Sequence, residues 1–485
     1  MNAGTGPDSL REQPLLAALL RHSLDRPHAT ALHTRPGIAA MTWSELIRCV
    51  ASAAKMFGQT GHRKIIHRSS NSPEDVVVAL ACMASGKVEV PLDGRLTSSQ
   101  HQAFLSRNAG EHLAMSHKAG LLTRSEGVEP ALCQVQGQLD QTRWQDPALI
   151  LQSGGSTGKP KGVVLSVGNL ASNAAAKLNA VPQEANDRRL AVLPLSHAYA
   201  RTCDLGTWLL AGCELATGLG WAAVENWTPG FQPTLINTVP ALNERLWDAF
   251  ARCPQRYGSL RLIGCGGAPL LPRRFHDWRS VGLDVIQGYG LTECSPVVCS
   301  ASPENQTPGE VGGFVSGWKW KMKEGELYVQ GPGVMLGYDQ DEKATASRID
   351  GDGWLRTGDR VECSSRGHLR VLGRVDDVLV LPNGYLLDPI PIEWRLKDVR
   401  GVDHAAIAYV DSMVLVILDC KDPAAVKASE IESLLVDLMP PGTPWRTMRT
   451  STAWSIETGE LTVKGTPRRD VIVERVLHSV STQTR

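Results

Sequence analysis

The strongest constraint on the fold is the repeated alternation of short apolar runs with helical segments between about residue 65 and residue 290. Each run is closed by Gly, Ser or Pro, and the segments between the runs have helical patterning. Strand and helix alternating at this spacing predict a largely parallel sheet that is covered by helices. The runs are IIHRS, VEVPL, ALILQS, LAVLPLS, TLINTVP, LRLIGCGG and DVIQGYG.

One helix between these runs carries its own start and stop signals. In SPEDVVVALACMASGK, Ser72 can cap the first turn and Pro73 suits the first helical position. Gly86 stands where a left-handed residue commonly ends a helix. The sequence therefore predicts a helix that begins after Ser72 and ends before Gly86.

The pattern changes after about Pro303. GELYVQG and HLRVLGR alternate apolar and polar residues, as antiparallel strands do, and DGDGW at 350–354 is a tight-turn cluster. At 485 residues the chain is too long for one ordinary core. We place a domain boundary at GRVDD (373–377), which predicts an N-terminal domain at 1–373 and a smaller C-terminal domain at 374–485.

Composition narrows the classes of function. Basic and acidic residues number 50 each, so the formal net charge is zero and gives no support for a nucleic-acid or membrane-surface partner. The eleven cysteines show no CxxC pair and no zinc-ligand spacing, which indicates reduced thiols. No basic leader precedes an apolar run at the N-terminus, and the apolar run at 76–84 is far shorter than the ~20 residues that span a bilayer. We therefore expect a cytoplasmic protein without a transmembrane segment.

Residues 149–168, LILQSGGSTGKPKGVVLSVG, place glycines, hydroxyls and two lysines between apolar strands. A nucleotide triphosphatase P-loop does not fit, because Ser153 stands where the first glycine is required and Pro160 stands where a hydroxyl is required. The loop still favours an anion, since glycines let backbone N–H groups surround phosphate oxygens while hydroxyls and lysine add donors and charge. A flexible surface loop is the alternative. The candidate phosphate-binding residues are Ser153, Gly154, Gly155, Ser156, Thr157, Gly158 and Lys161.

The loop SGGSTGKPKG resembles the phosphate loop of the adenylate-forming enzymes, which include acyl-CoA synthetases, luciferases and adenylation domains. Further motifs similar to those of this superfamily follow in order, and the one with PLSH and a following RT is closest to the long-chain fatty acyl branch. The resemblance implies an α/β fold: a large N-terminal domain of layered, mostly parallel sheets with a small β-barrel-like subdomain, and a smaller, mobile α+β C-terminal domain. The motifs are LPLSHAYART (193–202), GCGGAP (264–269), QGYGLTE (287–293), GWLRTGD (353–359) and GRVDD (373–377).

The resemblance also implies a reaction and a set of site residues. The carboxylate of an acid attacks the α-phosphorus of ATP, pyrophosphate leaves, and a thiol then displaces AMP; this chemistry needs positioning and charge neutralisation. Glu293 is expected to hold Mg²⁺ against the phosphates, Tyr289 to stack on adenine, and His197 to be a mobile active-site histidine. Asp359 and Arg374 are expected to bind the ribose. The other residues of the expected ATP site are Gly266, Gly267, Ala268, Gly288, Gly290 and Thr292.

Each of these side chains also has an ordinary structural explanation. Glu293 can be a glutamate in the first turn of a helix, Tyr289 a core residue, and His197 a satisfied core histidine. Asp359 and Arg374 can be solvated turn charges. The ordered motifs favour the functional roles.

The resemblance assigns two further roles in the C-terminal domain, which is expected to alternate between one pose for each half of the reaction. Asp376 is the expected hinge, and Gly384 lies in the turn that is expected to approach the thiol donor. A tyrosine–proline pair common in the superfamily is Asp388-Pro389 here, a departure on the thioester-forming face.

One lysine near the C-terminus assists adenylation in this superfamily. A unit charge about 4 Å away at an effective dielectric constant near 20 is worth roughly 4 kcal/mol, or about a thousandfold in rate. In GELTVKGTPRRDV (459–471), a gapless alignment puts Thr466 at the catalytic position, and Lys464 is the only lysine nearby. We take Lys464 as the catalytic candidate; a tail lysine that faces solvent is the alternative.

Together these features predict an ATP-dependent, Mg²⁺-using acid–thiol ligase that activates a fatty or similarly apolar acid and passes it to coenzyme A. Loading of a carrier-protein phosphopantetheine is a close alternative, because it shares the first half of the reaction. A degenerate relative that binds nucleotide or acyl ligand without catalysis is another, favoured by the displaced lysine and by Asp388. The acid's chain length is not readable, because its pocket is lined by segments far apart in the sequence.

Overall fold

The structure is a computed structural model that describes residues 14–106, 108, 110–113, 118, 120–122, 127–153, 161–381, 385–420, 422–450, 452–455, 457–461 and 467–483. Its contacts divide the chain into two compact units. The first unit runs to Leu270 and adds residues 274–320 and 329–356; the second comprises residues 271–273, 321–328 and 357–485. The domain boundary after residue 373 stays a prediction.

The strands are given first, in chain order. They are β1 (Thr30–His33), β2 (Met41–Thr42), β3 (Lys64–Ser69), β4 (Val88–Asp93), β5 (Glu111–Leu113), β6 (Pro147–Gln152), β7 (Gly162–Ser166), β8 (Arg188–Ala191), β9 (Glu214–Thr217), β10 (Leu235–Thr238), β11 (Leu262–Cys265), β12 (Asp284–Gly290), β13 (Val297–Ser300), β14 (Gly313–Phe314), β15 (Lys319–Lys323), β16 (Glu326–Gln330), β17 (Gly337–Tyr338), β18 (Leu355–Cys363), β19 (Leu369–Arg374), β20 (Leu379–Val380), β21 (Leu386–Leu387), β22 (Val402–Val410), β23 (Met413–Cys420) and β24 (Trp445–Arg449).

The α-helices of the described residues are α1 (Pro14–Asp25), α2 (Trp43–Gly58), α3 (Pro73–Met83), α4 (Ser98–Leu105), α5 (Val128–Gln141), α6 (Val167–Ala180), α7 (Ala198–Ala200), α8 (Thr207–Ala211), α9 (Gly220–Phe231), α10 (Pro240–Arg252), α11 (Pro272–Ser280), α12 (Glu342–Arg348), α13 (Pro389–Lys397), α14 (Ala428–Leu438) and α15 (Arg469–Gln483). A π-helical stretch at Arg201–Gly206 joins α7 to α8, and short 3₁₀ turns occupy Pro254–Tyr257, Thr292–Cys294 and Val375–Asp377.

Two sheets organise the first unit. The six-stranded sheet has the order β17-β7-β6-β4-β3-β5, and its strands β3, β4, β5 and β6 run parallel. The nine-stranded sheet has the order β14-β13-β12-β11-β10-β8-β9-β1-β2, and it is parallel from β12 to β1. Each of the seven apolar runs noted in the sequence overlaps one of these strands, which confirms the predicted parallel α/β architecture.

The helix predicted after Ser72 is α3, and its capping explains where it begins. Ser72 and Asp75 form a capping box, in which the Asp75 carboxylate accepts the Ser72 N–H at 2.9 Å. Gly86 has φ +64°, the left-handed conformation that the sequence predicts for it.

Apolar residues of both sheets belong to one hydrophobic cluster of the first unit. Ile65 and Leu151 contribute from the six-stranded sheet, and Ile236 and Val285 from the nine-stranded sheet. Fully buried Trp43 stacks on Trp208 in the same cluster, with ring centroids 5.2 Å apart. Burial of this surface supplies the main favourable term in folding.

The second unit is built mainly from antiparallel strands and helices. It holds most of a four-stranded sheet with the order β15-β16-β18-β19, and a three-stranded sheet with the order β22-β23-β24. The strands β22 and β23 share a core with α13 and α14 through residues such as Ile407, Leu396 and Ile431. None of the described helices has the length and apolar character needed to cross a membrane.

Helix α1 is fastened to α8 by a buried histidine. His22 Nε2 donates to the Leu209 carbonyl at 2.9 Å, and Arg26 donates to His22 Nδ1 at 3.0 Å. Burial, with Arg26 adding to the effect, lowers the pKa of His22 to about 4.

Stability should therefore fall on the acid side. In the unfolded chain His22 takes up a proton near pH 6.5, and in the folded chain only near pH 4. The contribution of neutral His22 to the free energy of unfolding is therefore complete above pH 6.5 and is lost toward pH 4. At about 1.4 kcal/mol per pH unit, the loss is on the order of 3 kcal/mol. His22→Gln should flatten the slope of the thermal unfolding midpoint in this range. His62→Gln, at a half-exposed side chain, should keep the wild-type slope; an unchanged slope in His22→Gln would contradict the assignment.

Candidate active site

The loop predicted to bind phosphate is closed at its base by two hydrogen bonds. Ser153 N donates to the Lys161 carbonyl at 2.8 Å, and Lys161 N donates to Ser153 Oγ at 3.3 Å. The flanking strands β6 and β7 are antiparallel neighbours, so both ends of the loop are fixed in one sheet. The predicted residues Gly154, Gly155, Ser156, Thr157 and Gly158 lie outside the described residues.

Glu293, the predicted metal ligand, is buried, and it belongs to a polar cluster beside this loop base whose lysine is exposed. Its Oε1 accepts a hydrogen bond of 2.8 Å from the Tyr338 hydroxyl. The Lys161 ammonium lies 5.0 Å from the centroid of the same tyrosine ring, and 4.0 Å from a carboxylate oxygen of Asp341. Burial raises the pKa of Tyr338, and the Glu293 carboxylate raises it further. Tyr338 therefore stays a hydroxyl donor that joins Glu293 to the cation at the loop exit.

The backbone supplies the reason why Tyr338 stands there. Strand β17 pairs with β7 in antiparallel register, so that Tyr338 lies opposite Val163, two residues beyond Lys161. Met335 N donates to the Glu293 carbonyl at 2.9 Å and fixes the turn that carries the carboxylate. Glu293 is 8% exposed, and one carboxylate beside a phosphate cradle suits Mg²⁺, which is usually held by one or two carboxylates together with substrate phosphates.

The two motifs predicted to bind adenine lie side by side at the carboxyl ends of two neighbouring strands. Strands β11 and β12 are parallel neighbours with Cys265 opposite Gln287, so Gly266, Gly267 and Ala268 follow β11 beside the end of β12. That end is formed by Gly288, Tyr289 and Gly290, and Thr292 opens the following turn. Parallel strands of an α/β sheet bind ligands beyond their carboxyl ends. The structure thus brings these predicted residues together.

The predicted ribose pair is assembled within the second unit. Asp359 on β18 lies directly opposite Arg374 on β19, and Arg374 Nη1 donates to Asp359 Oδ1 at 3.0 Å. The same nitrogen donates to the Thr357 carbonyl at 2.9 Å. Asp359 is 8% exposed, so the pair is a fixed feature rather than two solvated turn charges.

His197 stands at the start of α7 with its side chain partly exposed. Its Nε2 lies 3.0 Å from Asp93 Oδ2 and 3.4 Å from Arg95 Nη2. Asp93 ends β4, which belongs to the six-stranded sheet, whereas His197 follows β8 of the nine-stranded sheet. The histidine is therefore held by charged partners and is not an isolated core residue.

The remaining predicted residues are in the C-terminal part of the chain. Asp376 is exposed within the 3₁₀ turn Val375–Asp377. Gly384 and Lys464 lie outside the described residues. Asp388 accepts the Ile390 N–H at 3.1 Å as the cap of α13 and pairs with Arg360 at 3.0 Å. This departure from the superfamily pattern thus has a structural role within the second unit.

Sequence reasoning missed Tyr338, Asp93 and Arg95. Tyr338 lies in a strand of two residues, and Asp93 lies 104 residues before its histidine partner. Neither Tyr338 nor Asp93 is marked by a periodic sequence pattern. Their contacts with Glu293 and His197 arise only when distant strands are placed side by side. The short run LGYDQ before a helix was the available hint for Tyr338.

Comparison with known proteins adds an independent finding. A family model described as AMP-binding enzyme matches residues 20–339. A feruloyl-CoA synthase from Amycolatopsis sp is 29% identical over 430 residues, which cover 82% of this chain and 86% of that protein. A long-chain-fatty-acid–CoA ligase from Mycobacterium bovis is 27% identical over 321 residues, which cover 55% of this chain and 52% of the relative.

The fold has solved counterparts. The crystal structure of ATP-bound MatB from Rhodopseudomonas palustris has a TM-score of 0.81 at 21% identity, and the match covers 96% of this chain and 99% of MatB. At this identity the likeness concerns the fold, and it agrees with the mixed α/β architecture and the smaller C-terminal part. The relatives do not single out the long-chain fatty acyl branch that the PLSH motif predicts.

The cluster around Glu293 generates a binding prediction. Tyr338→Phe removes the hydrogen bond to Glu293 but keeps the ring beneath Lys161. The affinity for ATP in the presence of Mg²⁺ should therefore fall by about tenfold. The reason is that a hydrogen bond to a charged group is worth about 1.5 kcal/mol or more. Calorimetric titration with and without Mg²⁺ measures the effect, which should be smaller without the metal. Tyr328→Phe is the matched control, since Tyr328 also lies beneath a lysine, 5.9 Å from Lys321 Nζ. Wild-type affinity in Tyr338→Phe would contradict the role.

Proposed function

Because the chain belongs to the AMP-binding enzyme family, we propose that it is an AMP-forming acid–thiol ligase that couples a carboxylic acid to coenzyme A through an acyl adenylate. The observation that supports this most strongly is the cluster in which Tyr338 joins Glu293 to Lys161 at the exit of the glycine-rich loop. The meeting of the motifs at Gly266 and Gly288 on one sheet edge adds to it. Both features lie in the first unit, and they support the proposed binding of phosphate and adenine there.

In the first half of the reaction, a carboxylate oxygen of the acid attacks the α-phosphorus of ATP and pyrophosphate leaves. Ser153, Lys161 and the amides of the loop bind the phosphates, and Glu293 would hold Mg²⁺, which would supply further positive charge against them. Tyr289 and the glycines beside it accept adenine, while Asp359 and Arg374 bind the ribose hydroxyls. Lys464 contributes positive charge at the α-phosphate. The protein acts by positioning and electrostatics without a covalent enzyme intermediate.

In the second half, the thiolate of coenzyme A attacks the acyl carbonyl and AMP leaves with the bonding electron pair of the mixed anhydride. His197 borders the acyl adenylate, and rotation about Asp376 brings Gly384 toward the thiol. A phosphopantetheine thiol on a carrier protein would undergo the same chemistry and is the second acceptor to test.

For the acid we propose an apolar carboxylic acid, either an aliphatic chain or an aryl group. Relatives named for feruloyl-CoA and for long-chain fatty acyl-CoA formation support both forms of apolar substrate. We place the reaction in the cytoplasm, because the cysteines show no CxxC pair and no zinc-ligand spacing, a pattern typical of reduced thiols.

A substrate panel tests the proposal. Purified protein should catalyse acid-dependent exchange of pyrophosphate into ATP with at least one fatty or aryl acid, and omission of the acid should abolish the exchange. Thioester formation with free coenzyme A, compared with loading of a carrier protein, identifies the acceptor. Binding of ATP without exchange across fatty and aryl acids would contradict catalysis and would favour the non-catalytic alternative.

A second test concerns the displaced lysine. Lys464→Ala should lower the rate of pyrophosphate exchange by about two to three orders of magnitude, as expected for loss of a unit charge near the α-phosphate. Thioester formation from supplied acyl adenylate should change less. Thr466→Ala is the control at the position that the gapless alignment selects. If Lys464→Ala keeps wild-type exchange while Thr466→Ala loses it, the assignment to Lys464 is wrong.

A further inference from the structure

Residues 191–201, here termed the histidine segment, leave the nine-stranded sheet but are fastened by side chains of the six-stranded sheet. Asn71, just after β3, donates through Nδ2 to the Leu193 carbonyl at 2.9 Å and accepts the Leu195 N–H at 2.7 Å. Asn71 is 2% exposed. The first half of the histidine segment is therefore fixed at the level of its backbone.

The far end of the segment is fastened by buried charge. Arg201 Nη2 forms an ion pair with Glu89 on β4, and both side chains are almost completely buried. His67 on β3 lies 2.9 Å from the other carboxylate oxygen of Glu89. Burial would raise the pKa of Glu89, but Arg201 and His67 hold it below its ordinary value. A paired, buried carboxylate of this kind does not release its arginine at low cost.

Between these two fixed points, the His197 ring lies against the carboxyl end of β4. Asp93 Oδ1 accepts from Arg95 N at 2.9 Å and from Arg95 Nε at 2.9 Å. Asp93 Oδ2 accepts from Arg95 Nη2 at 2.6 Å and lies 3.0 Å from His197 Nε2. The turn that carries this pair is tight, because a Cβ at Gly94 would lie 2.4 Å from the Ser69 carbonyl oxygen.

We propose that Asp93, held in place by Arg95, is a positioning residue for His197. The inference rests on the proposed function, in which His197 borders the acyl adenylate. Since the backbone on both sides of the histidine is anchored, the direction of its ring depends on the contact with Asp93. Because a carboxylate oxygen can only accept, the 3.0 Å contact makes Nε2 the nitrogen that donates its proton to Asp93. The longer 3.4 Å contact with Arg95 is consistent with Arg95 acting through the carboxylate.

An ordinary structural role makes a different prediction. If the Asp93–Arg95 pair only closes the turn between β4 and α4, loss of Asp93 would act independently of His197. If Asp93 positions His197, its loss should matter only while the ring is present. A double-mutant cycle separates the two.

The experiment compares Asp93→Ala, His197→Ala and the double variant. Initial rates of acid-dependent pyrophosphate exchange and of thioester formation from supplied acyl adenylate are the readouts. Each single change should lower at least one of the two rates by about tenfold or more, and the double variant should be no slower than His197→Ala. Asp93→Asn, which keeps an acceptor oxygen, should recover part of the loss. A double variant slowed by the product of the single effects would overturn the proposal.

A second histidine–carboxylate pair of the first unit is the matched control. His33 Nε2 lies 2.7 Å from Glu214 Oε2, between β1 and β9, with both side chains partly exposed. Glu214→Ala should leave both rates within about twofold of wild type and should combine additively with His197→Ala. Thermal unfolding of every variant identifies any general loss of structure.

A spectroscopic readout keeps the inference separate from the proposed function. In histidine-labelled protein, ¹⁵N NMR should show the His197 ring protonated at Nε2, assigned by its disappearance in His197→Gln. Asp93→Asn should change this signal, and Glu214→Ala should not. Absence of acid-dependent exchange together with the expected NMR change would contradict the ligase function alone. An unchanged His197 signal in Asp93→Asn would overturn the positioning role, whatever the activity.

Discussion

The candidate nucleotide site of the first unit depends on glycines, because neighbouring atoms approach their backbone too closely to leave room for a side chain. A Cβ at Gly290 would lie 1.7 Å from the Pro296 carbonyl oxygen, and one at Gly266 would lie 3.0 Å from the Tyr199 ring. Larger residues at these positions would separate β12 from the turn that follows it or displace a buried aromatic ring. The glycines of both motifs are thus required by packing before any ligand is considered. The packing leaves Tyr289, the proposed contact of adenine, half-buried near the carboxyl end of β12.

Buried ion pairs are the second interaction that holds this structure together, and they connect residues of different elements. The chain Arg201–Glu89–His67 continues to Asp75, whose carboxylate also pairs with Lys118. Burial would raise the pKa of Asp75, but His67 and Lys118 hold it well below its ordinary value. Removal of one member would leave its partner buried and uncompensated, which is far more costly than loss of a surface ion pair. The fold can therefore keep the histidine segment in one place while the His197 side chain stays partly exposed.

The sequence predicts local order well and long-range pairs poorly. Runs such as VEVPL and DVIQGYG became parallel strands, and the Ser72 cap started a helix, because each signal lies within a few residues. The motifs of Asp359 and Arg374 predict that both residues bind the ribose, and the β18–β19 register places them opposite each other. Tyr338 was missed, since its contact with Glu293 joins residues 45 positions apart through a strand of only two residues.

Asp388 shows a different limit of sequence reasoning. Its departure from the superfamily pattern favoured a degenerate thioester face, whereas its side chain caps α13 and pairs with Arg360. Capping satisfies a backbone N–H at the start of a helix, so an acidic residue there has a purely structural reason. The sequence could not distinguish these readings, because the arginine partner lies in a strand 28 residues earlier.

We propose that the first unit binds adenine and phosphate between the glycine motifs and Glu293. The sharpest test is a crystal structure with a non-hydrolysable acyl-adenylate analogue. We expect the adenine ring against Tyr289, next to residues 266–268, and the phosphate mimic beside Lys161. An analogue bound at another cleft, with the edge of β11 and β12 left empty, would contradict it.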